Sequence, residues 1–352
     1  MPPREMPASL AAAARRVHSR AAAGPTPVVC FYADWVEVPL PPGHRFPMHK
    51  YAETRRVLTD DHSLRERLRL EPSPLASLDD IRLAHCPDYV DRVMNGRLSA
   101  SEQRAVGFPW SIAHVQRSLA STGGTIAATR LVLASRKHRC ALQIAGGTHH
   151  AHRDSGEGFC VFNDAACAAM LGLSEFGLRR ILIVDLDVHQ GQGTAAIFES
   201  RPEVTAFSMH QANGYPFSSR RRGPLDVELP DSTGDAEYLG TLCSWLPRLF
   251  DPPEGPPQLV LYQAGVDALQ GDAFGRLALS RLGLQQRNDL IFSACIRARA
   301  PLVVMMGGGY TVPSDRSVAA HADVFRSAAL RFSATDAADE AESSTAAVVD
   351  CM

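Results

Sequence analysis

The sequence predicts an α/β protein: a single-domain, three-layer α/β/α unit with a mostly parallel central sheet. Three observations carry this. Four short, near-continuous hydrophobic runs occur, at 140–150 (CALQIAGGTHH), 179–191 (RRILIVDLDVHQG), 257–268 (PQLVLYQAGVDA) and 300–311 (APLVVMMGGGYT). Runs of that kind suit strands buried on both faces. Helical patterns separate them, at 114–135, 163–176 and 235–250, and repeated strand–helix–strand units imply parallel pairing with helices on both faces. Each run then breaks, at its carboxyl end, into glycine and a polar or aromatic residue.

Along the chain, residues 1–27 are rich in Ala, Arg and Pro, with Arg4, Arg15, Arg16 and Arg20 against Glu5 alone. This stretch reads as a disordered extension or as an organelle targeting segment; a secretory signal would need a sustained apolar core. Residues 28–332 read as one folded domain, without repeats or Ser/Gly linkers. Residues 333–352 carry five acids and neither Lys nor Arg, which reads as an acidic disordered tail. Of the 352 residues, 45% are hydrophobic and 21% charged, an ordinary globular balance. A net charge of −2 argues against a direct, sequence-independent grip on nucleic acid, which needs a basic face. No apolar run nears the ~20 residues that cross a bilayer. The cysteines, Cys30, Cys86, Cys140, Cys160, Cys167, Cys243, Cys295 and Cys351, form no C-x-x-C pair and read as reduced thiols of an intracellular protein. The expected location is cytoplasmic, with the nucleus, or an organelle if 1–27 is a transit peptide, as the alternatives.

Functional groups of parallel sheets gather beyond the carboxyl ends of the strands. All four polar breaks lie there, so His149, His150, Asp185, Asp187, His189, Asp267 and Tyr310 could share one pocket. Asp185, Asp187 and His189 alternate with Leu186 and Val188. Continued in extended conformation, they would all point to one face. Three polar groups on one face of a buried strand require a cation or hydrogen-bond partners. Asp187, His189 and Asp267 would form an Asp-His-Asp set that leaves a fourth position open, the arrangement of catalytic zinc. The same ligand types suit Fe(II) or Co(II). The competing reading is a salt-bridged core cluster with no ion.

These residues bring a family into view. HRFPMHKY (44–51), GFPWS (107–111), GGTHHA (146–151), GEGFCVFNDAA (156–166), VDLDVHQGQGT (184–194), SMH (208–210), LDVELPDSTGDAEYL (225–239), QAGVDAL (263–269) and GGGYT (307–311) stand in one order over 44–311. The chain resembles the zinc-dependent histone deacetylases of the arginase/deacetylase fold, and HRFPMHKY with GFPW resembles their bacterial-type, class IV-like branch. The resemblance implies that Asp187, His189 and Asp267 ligate Zn²⁺, with Fe²⁺ as an alternative. His149 and His150 would be the tandem histidines, Asp185 would accept a hydrogen bond from His149, and Gln192 would orient His150. Tyr310 would hydrogen-bond the substrate carbonyl. Gly158, Phe159 and Gly308 would join the substrate-binding set, and the wall opposite Phe159 would come from Tyr215 or Phe217. A structural K⁺ would sit at Asp185, Asp187, His189, Ser208 and Met209, mostly on main-chain oxygens.

Three departures stand out. Gln192 occupies a position held by a carboxylate or an asparagine in the family, and a neutral amide raises a histidine's basicity less than a carboxylate does. Pro109 stands about where some members carry a rim aspartate that clamps the substrate backbone. HQGQG after His189 and a single Asp267 favour one metal over the arginase pair. The implied activity is hydrolysis of a linear amide: removal of acetyl, or a longer acyl group, from lysine side chains of proteins. The alternatives are deacetylation of a small amine such as an acetylpolyamine, and a scaffold that binds acyl-lysine without turnover. Acyl length and oligomeric state are left open. His44 and His49 read as structural or loop residues, Cys160 as packing, and Arg220, Arg221 and Arg222 as solvated surface or an acidic-substrate contact.

Overall fold

The computed structural model describes residues 25–135, 137–221 and 225–333. Most of the N-terminal extension and all of the acidic tail but Ser333 lie outside the described residues, as do Arg222 and Cys351. The strands are β1 (Val28–Tyr32), β2 (Leu68–Pro72), β3 (Cys140–Ile144), β4 (Ile181–Asp185), β5 (Val204–Gln211), β6 (Asp226–Leu229), β7 (Leu259–Gln263) and β8 (Leu302–Met305). The helices are α1 (Lys50–Thr59), α2 (Leu78–Arg82), α3 (Pro87–Met94), α4 (Ala100–Val106), α5 (Ile112–Ala134), α6 (Asp164–Phe176), α7 (Gln192–Phe198), α8 (Asp235–Phe250), α9 (Arg281–Arg297) and α10 (Asp315–Phe332). Among the described residues the strands form one sheet in the order β2-β1-β3-β8-β7-β4-β5-β6. Every neighbouring pair runs parallel, so the expected mostly parallel sheet is wholly so.

The predicted strands and helices appear within a few residues of their expected places. β3, β4, β7 and β8 are buried along their whole length, as strands covered on both faces must be. Helices α5 and α6 pack on each other and on the sheet, while α10 joins α1 and α9 and also reaches β1 and β3. α5 also meets β1 and β3 but makes no substantial contact with α10, so the two cover opposite faces. Ser111 caps α5, and Asn163 caps α6 through the Ala166 N–H. Four strands lie outside the four hydrophobic runs. Of these, β2 and β6 are the sheet edges and carry Arg69 with Glu71, and Asp226 with Glu228. Charge at an edge blocks further strand pairing and also erases the apolar signature.

Register does the positioning. Gln143 of β3 pairs with Met305 of β8, Met305 with Gln263 of β7, Gln263 with Asp185 of β4, and Asp185 with Ser208 of β5. The carboxyl ends of β3, β8, β7 and β4 therefore finish nearly level, and the residues just beyond them emerge at one place, while β5 runs on to Gln211. One expectation is corrected here: β4 stops at Asp185, so Asp187 and His189 stand on a loop, not on a continuing strand. Consecutive side-chain turns replace the strand. The Asp185 carboxylate accepts the Asp187 N–H at 3.1 Å, and the Asp187 carboxylate accepts the His189 N–H at 3.0 Å. Leu186 and Val188 turn into the core on the other side.

A fully buried Arg287 on α9 ties this loop to its neighbour. It donates to the carbonyls of Gly265 (2.7 Å), Leu186 (3.1 Å) and Ala264 (3.4 Å), beneath Asp187 and Asp267. Its desolvation is met by those oxygens and by the Tyr262 ring, 5.9 Å from the guanidinium carbon. Arg287→Met leaves the carbonyls without a donor. It is expected to lower stability by roughly 3 kcal/mol, read as a fall in the urea midpoint at unchanged slope.

Candidate active site

The buried centre consists of Asp187, His189 and Asp267, whose potential ligand atoms all lie within 4.8 Å of one another. His189 Nδ1 stands 2.9 Å from Asp187 Oδ1 and 3.2 Å from Asp267 Oδ2. The remaining carboxylate oxygens are tied to main chain. Asp267 Oδ1 accepts the Val188 N–H at 2.9 Å, and Asp187 Oδ2 accepts the Gly308 N–H at 2.8 Å. Asp267 Oδ2 is buried without a hydrogen-bond partner. Burial pushes the Asp267 carboxyl up to about 7, with the Asp187 charge adding to it. Burial alone would suppress the His189 imidazolium, but Asp187 and Asp267 outweigh that and hold its pKa up at about 10. Two buried acids and an imidazole with an orphaned oxygen make a donor set that fits a divalent cation, with O and N ligands suited to zinc.

The tandem histidines lie beside this centre, their ring centroids 4.0 Å apart. His149 Nδ1 lies 2.6 Å from Asp185 Oδ2, and His150 Nδ1 lies 2.7 Å from Gln192 Oε1. The two are pushed in opposite directions. Burial works against the charged form of His149, yet Asp185 and Asp187 raise its pKa above the ordinary value. Burial, reinforced by His149 and His189, drives that of His150 well below. The loop that carries them is stapled from α6. The buried Asp164 carboxylate accepts from Thr148 N–H (2.8 Å), Gly147 N–H (3.2 Å) and the Thr125 hydroxyl (2.7 Å). Asn163 donates its amide to Ala151 O (3.1 Å) and Thr194 Oγ1 (3.0 Å).

Tyr310 closes the other side. Its ring lies 6.4 Å from that of His189, edge-on. Burial and then the negative charges of Asp267 and Asp187 hold its phenol pKa well above the ordinary value, so the hydroxyl stays a neutral donor. Asp272 anchors it by accepting the Tyr310 N–H at 2.6 Å, as well as those of Phe274 (2.9 Å) and Gly275 (3.1 Å). Gly308 packs behind the ligands: a Cβ there would lie 1.9 Å from Asp267 Oδ2. It therefore supports the carboxylates and does not line the cavity, contrary to its expected place among the substrate-binding residues. Below the loop, the fully buried Lys50 donates to the carbonyls of Gly307 (3.2 Å) and Gly309 (3.3 Å), with its Nζ 4.8 Å from the Tyr310 ring centre. Burial lowers its pKa to about 8, with Asp267 and Asp187 opposing the shift.

A cavity of about 620 Å³ opens over these groups, and His150, His189, Tyr310, Gly158, Phe159, Tyr215 and Phe217 are among its lining. Phe159 packs 5.1 Å from Phe46 and 5.2 Å from Phe108. Tyr215 stands edge-on to His150 at 4.9 Å, so it forms the inner wall, whereas Phe217 is 82% exposed at the mouth. Phe274, 4.8 Å from the Tyr310 ring, is a further wall absent from the sequence-based set. Lys50, Glu157 and Asp272 were also missed, because each acts through contacts that only tertiary folding creates. Ser208, Met209 and Asp185 come together where β4 pairs with β5; the Ser208 hydroxyl lies 2.9 Å from His210 Nδ1.

The remaining expectations resolve as follows. His44 Nε2 lies 2.9 Å from Gly107 O and His49 Nε2 lies 3.0 Å from Ser314 Oγ, both structural links between loops. Cys160 is buried, and burial pushes its thiol pKa far up, which leaves it inert. Arg220 is not solvated surface: it clamps the loop over the site through the carbonyls of Ala212, Gln211 and Gly214 and through Glu228. Arg221 pairs with Glu199 at 2.8 Å. No described helix is long and apolar enough to cross a membrane.

Comparison with known proteins agrees with this geometry. The model of the histone deacetylase domain matches residues 44–325. An uncharacterized protein of Picosynechococcus sp. is 41% identical over 301 residues, covering 85% of this chain and 97% of its own. Histone deacetylase 2 of Arabidopsis thaliana is 31% identical over 287 residues, 78% of this chain and 72% of its own. Polyamine deacetylase HDAC10 of Rattus norvegicus is 35% identical over 226 residues, 57% of this chain but only 38% of its own. The chain is a hydrolase acting on amides, and it belongs to the histone deacetylase family.

Proposed function

We propose that the protein removes acetyl, or longer acyl, groups from lysine side chains of proteins, with zinc held by Asp187, His189 and Asp267. The observation that carries this is the buried Asp-His-Asp centre, with His150 and Tyr310 flanking it at the base of an aromatic-walled cavity. When bound, zinc supplies Lewis-acid polarisation of the amide carbonyl and makes water a nucleophile near neutral pH. His150 has Nδ1 occupied by Gln192 and is held neutral by burial, so its free Nε2 takes a proton from the attacking water. The same nitrogen returns a proton to the departing amine. His149, kept basic by Asp185, supplies positive charge beside the developing oxyanion. Tyr310, a neutral phenol, donates to that oxygen. Phe159 and Tyr215 hold the acyl-lysine stem and exclude bulk water. Main-chain oxygens near Asp185, Asp187, His189, Ser208 and Met209 are assigned to a structural monovalent cation. HRFPMHKY and GFPWS support placement in the class IV-like branch.

The mouth bears on the choice of substrate. Arg45, Arg104 and Arg276 line it, and no Asp or Glu is among the described lining residues. A polyamine carries protonated amines beyond its acetyl group, and these would meet guanidinium groups of like sign, of which Arg276 is paired with Asp231 at 3.4 Å. The likeness to HDAC10 keeps acetylpolyamines as the second reading; the rim favours protein substrates with neutral or acidic flanks.

The purified protein, assayed on a panel of acyl-lysine peptides and acetylated amines, is expected to turn over the peptides and to lose that activity to a chelator. Turnover confined to acetylpolyamines would replace the first reading by the second. Peptides with glutamate beside the acyl-lysine should outperform those with lysine, and the preference should shrink as salt rises and screens the rim. Tyr310→Phe is expected to keep its metal and lose roughly 10²–10³-fold in kcat, whereas Asp267→Ala should lose zinc by elemental analysis.

A further inference from the structure

Gln192 raises a question of orientation. An amide presents an acceptor on one side and donors on the other. With Oε1 toward His150, the ring carries its proton on Nδ1 and leaves Nε2 free to accept in the cavity. Were the amide turned over, its NH₂ would face Nδ1 and force the proton onto Nε2, where it would block proton uptake. The deciding contacts lie on the far side of Gln192. Its Nε2 stands 3.4 Å from Glu157 Oε2 and 3.4 Å from Ser219 Oγ. Glu157 already accepts the Tyr215 hydroxyl at 2.6 Å and the Ser219 hydroxyl at 3.1 Å. His152 Nε2 is 3.9 Å from the same carboxylate. An ionised carboxylate has only lone pairs to offer, and Ser219 has its proton committed to it. Both therefore demand a donor from Gln192.

We propose that Glu157 is a positioning residue for proton transfer at His150, acting through Gln192. It holds the amide with its oxygen inward and so fixes the imidazole as the Nδ1–H tautomer. The carboxylate that Gln192 lacks is thus retained one hydrogen bond further out, in a half-buried position with 21% of its side chain exposed. This rests on reading His150 as the proton carrier under the proposed function.

The test combines kinetics with ¹⁵N spectra of the zinc-loaded, ¹⁵N-histidine-labelled protein, His150 being assigned from its Ala variant. Glu157→Gln keeps the shape but can donate or accept, so the orientation of Gln192 is no longer dictated. It is expected to lower kcat about 10- to 100-fold, part of the roughly 10²–10⁴-fold that a positioned proton carrier contributes. KM and zinc content should change little, and the His150 signals should show mixed tautomers. The swap E157Q/Q192E exchanges the two groups. Its inner carboxylate accepts directly from His150 and from the outer amide, while the oxygen of that amide still accepts the Tyr215 hydroxyl. It should restore a single Nδ1–H tautomer and most of kcat. Tyr215→Phe removes one partner of Glu157 but leaves the amide contact, so the tautomer should persist. Wild-type kcat with an unchanged tautomer in Glu157→Gln would overturn the proposal. So would a kcat loss that the swap does not recover while the tautomer stays fixed, or mixed tautomers in Tyr215→Phe. Should the wild type turn over no substrate, the functional reading fails, and the spectra still decide the part assigned to Glu157.

Discussion

Two carboxylates buried side by side are the constraint on which this structure turns. Asp187 and Asp267 lie in the interior, where charge without compensation is costly. Asp187 Oδ2 is fixed by the Gly308 N–H and Asp267 Oδ1 by the Val188 N–H. That leaves the other oxygens converging on His189. The loops beneath are clamped by Arg287, and a glycine at 308 is required because any side chain would strike Asp267. A buried arginine and a glycine-rich turn thus hold like charges together, an arrangement that fits a candidate cation site. Ligand atoms held in place before binding need little rearrangement afterwards.

The surroundings amplify this electrostatic core. Phe159 and Phe274 wall the approach to Tyr310, and Phe46 and Phe108, from distant parts of the chain, pack behind Phe159. Inside such walls a hydrogen bond to a developing charge is stronger than in water. The opposed pKa shifts of His149 and His150 follow from what each Nδ1 faces. A carboxylate backs one ring and a neutral amide backs the other, so adjacent residues of the same type differ in their hold on a proton.

Much of this was legible in the sequence, and the reasons for the rest are physical. β3, β4, β7 and β8 announce themselves because strands buried on both faces need uninterrupted apolar residues. β2 and β6 do not, because edges must carry charge. Asp187, His189, Asp267, His149, His150 and Tyr310 could be found because polar residues following apolar strands have few structural uses. The extended course expected beyond Asp185 did not form, yet the same alternation survives as two side-chain turns. Glu157, Lys50 and Asp272 were invisible for a different reason. Lys50 acts on a loop 257 residues away and Glu157 on a residue 35 away, distances that no local pattern encodes.

The segment from Asp267 to Phe274 holds a consequence of its own. Within eight positions it supplies a candidate metal ligand, the tether of Tyr310 and an aromatic wall. Lengthening or shortening it would misplace all three together. Of the three, only Phe274 lines the cavity, so a single exchange there would reshape the wall while leaving Asp267 and the tether of Tyr310 in place.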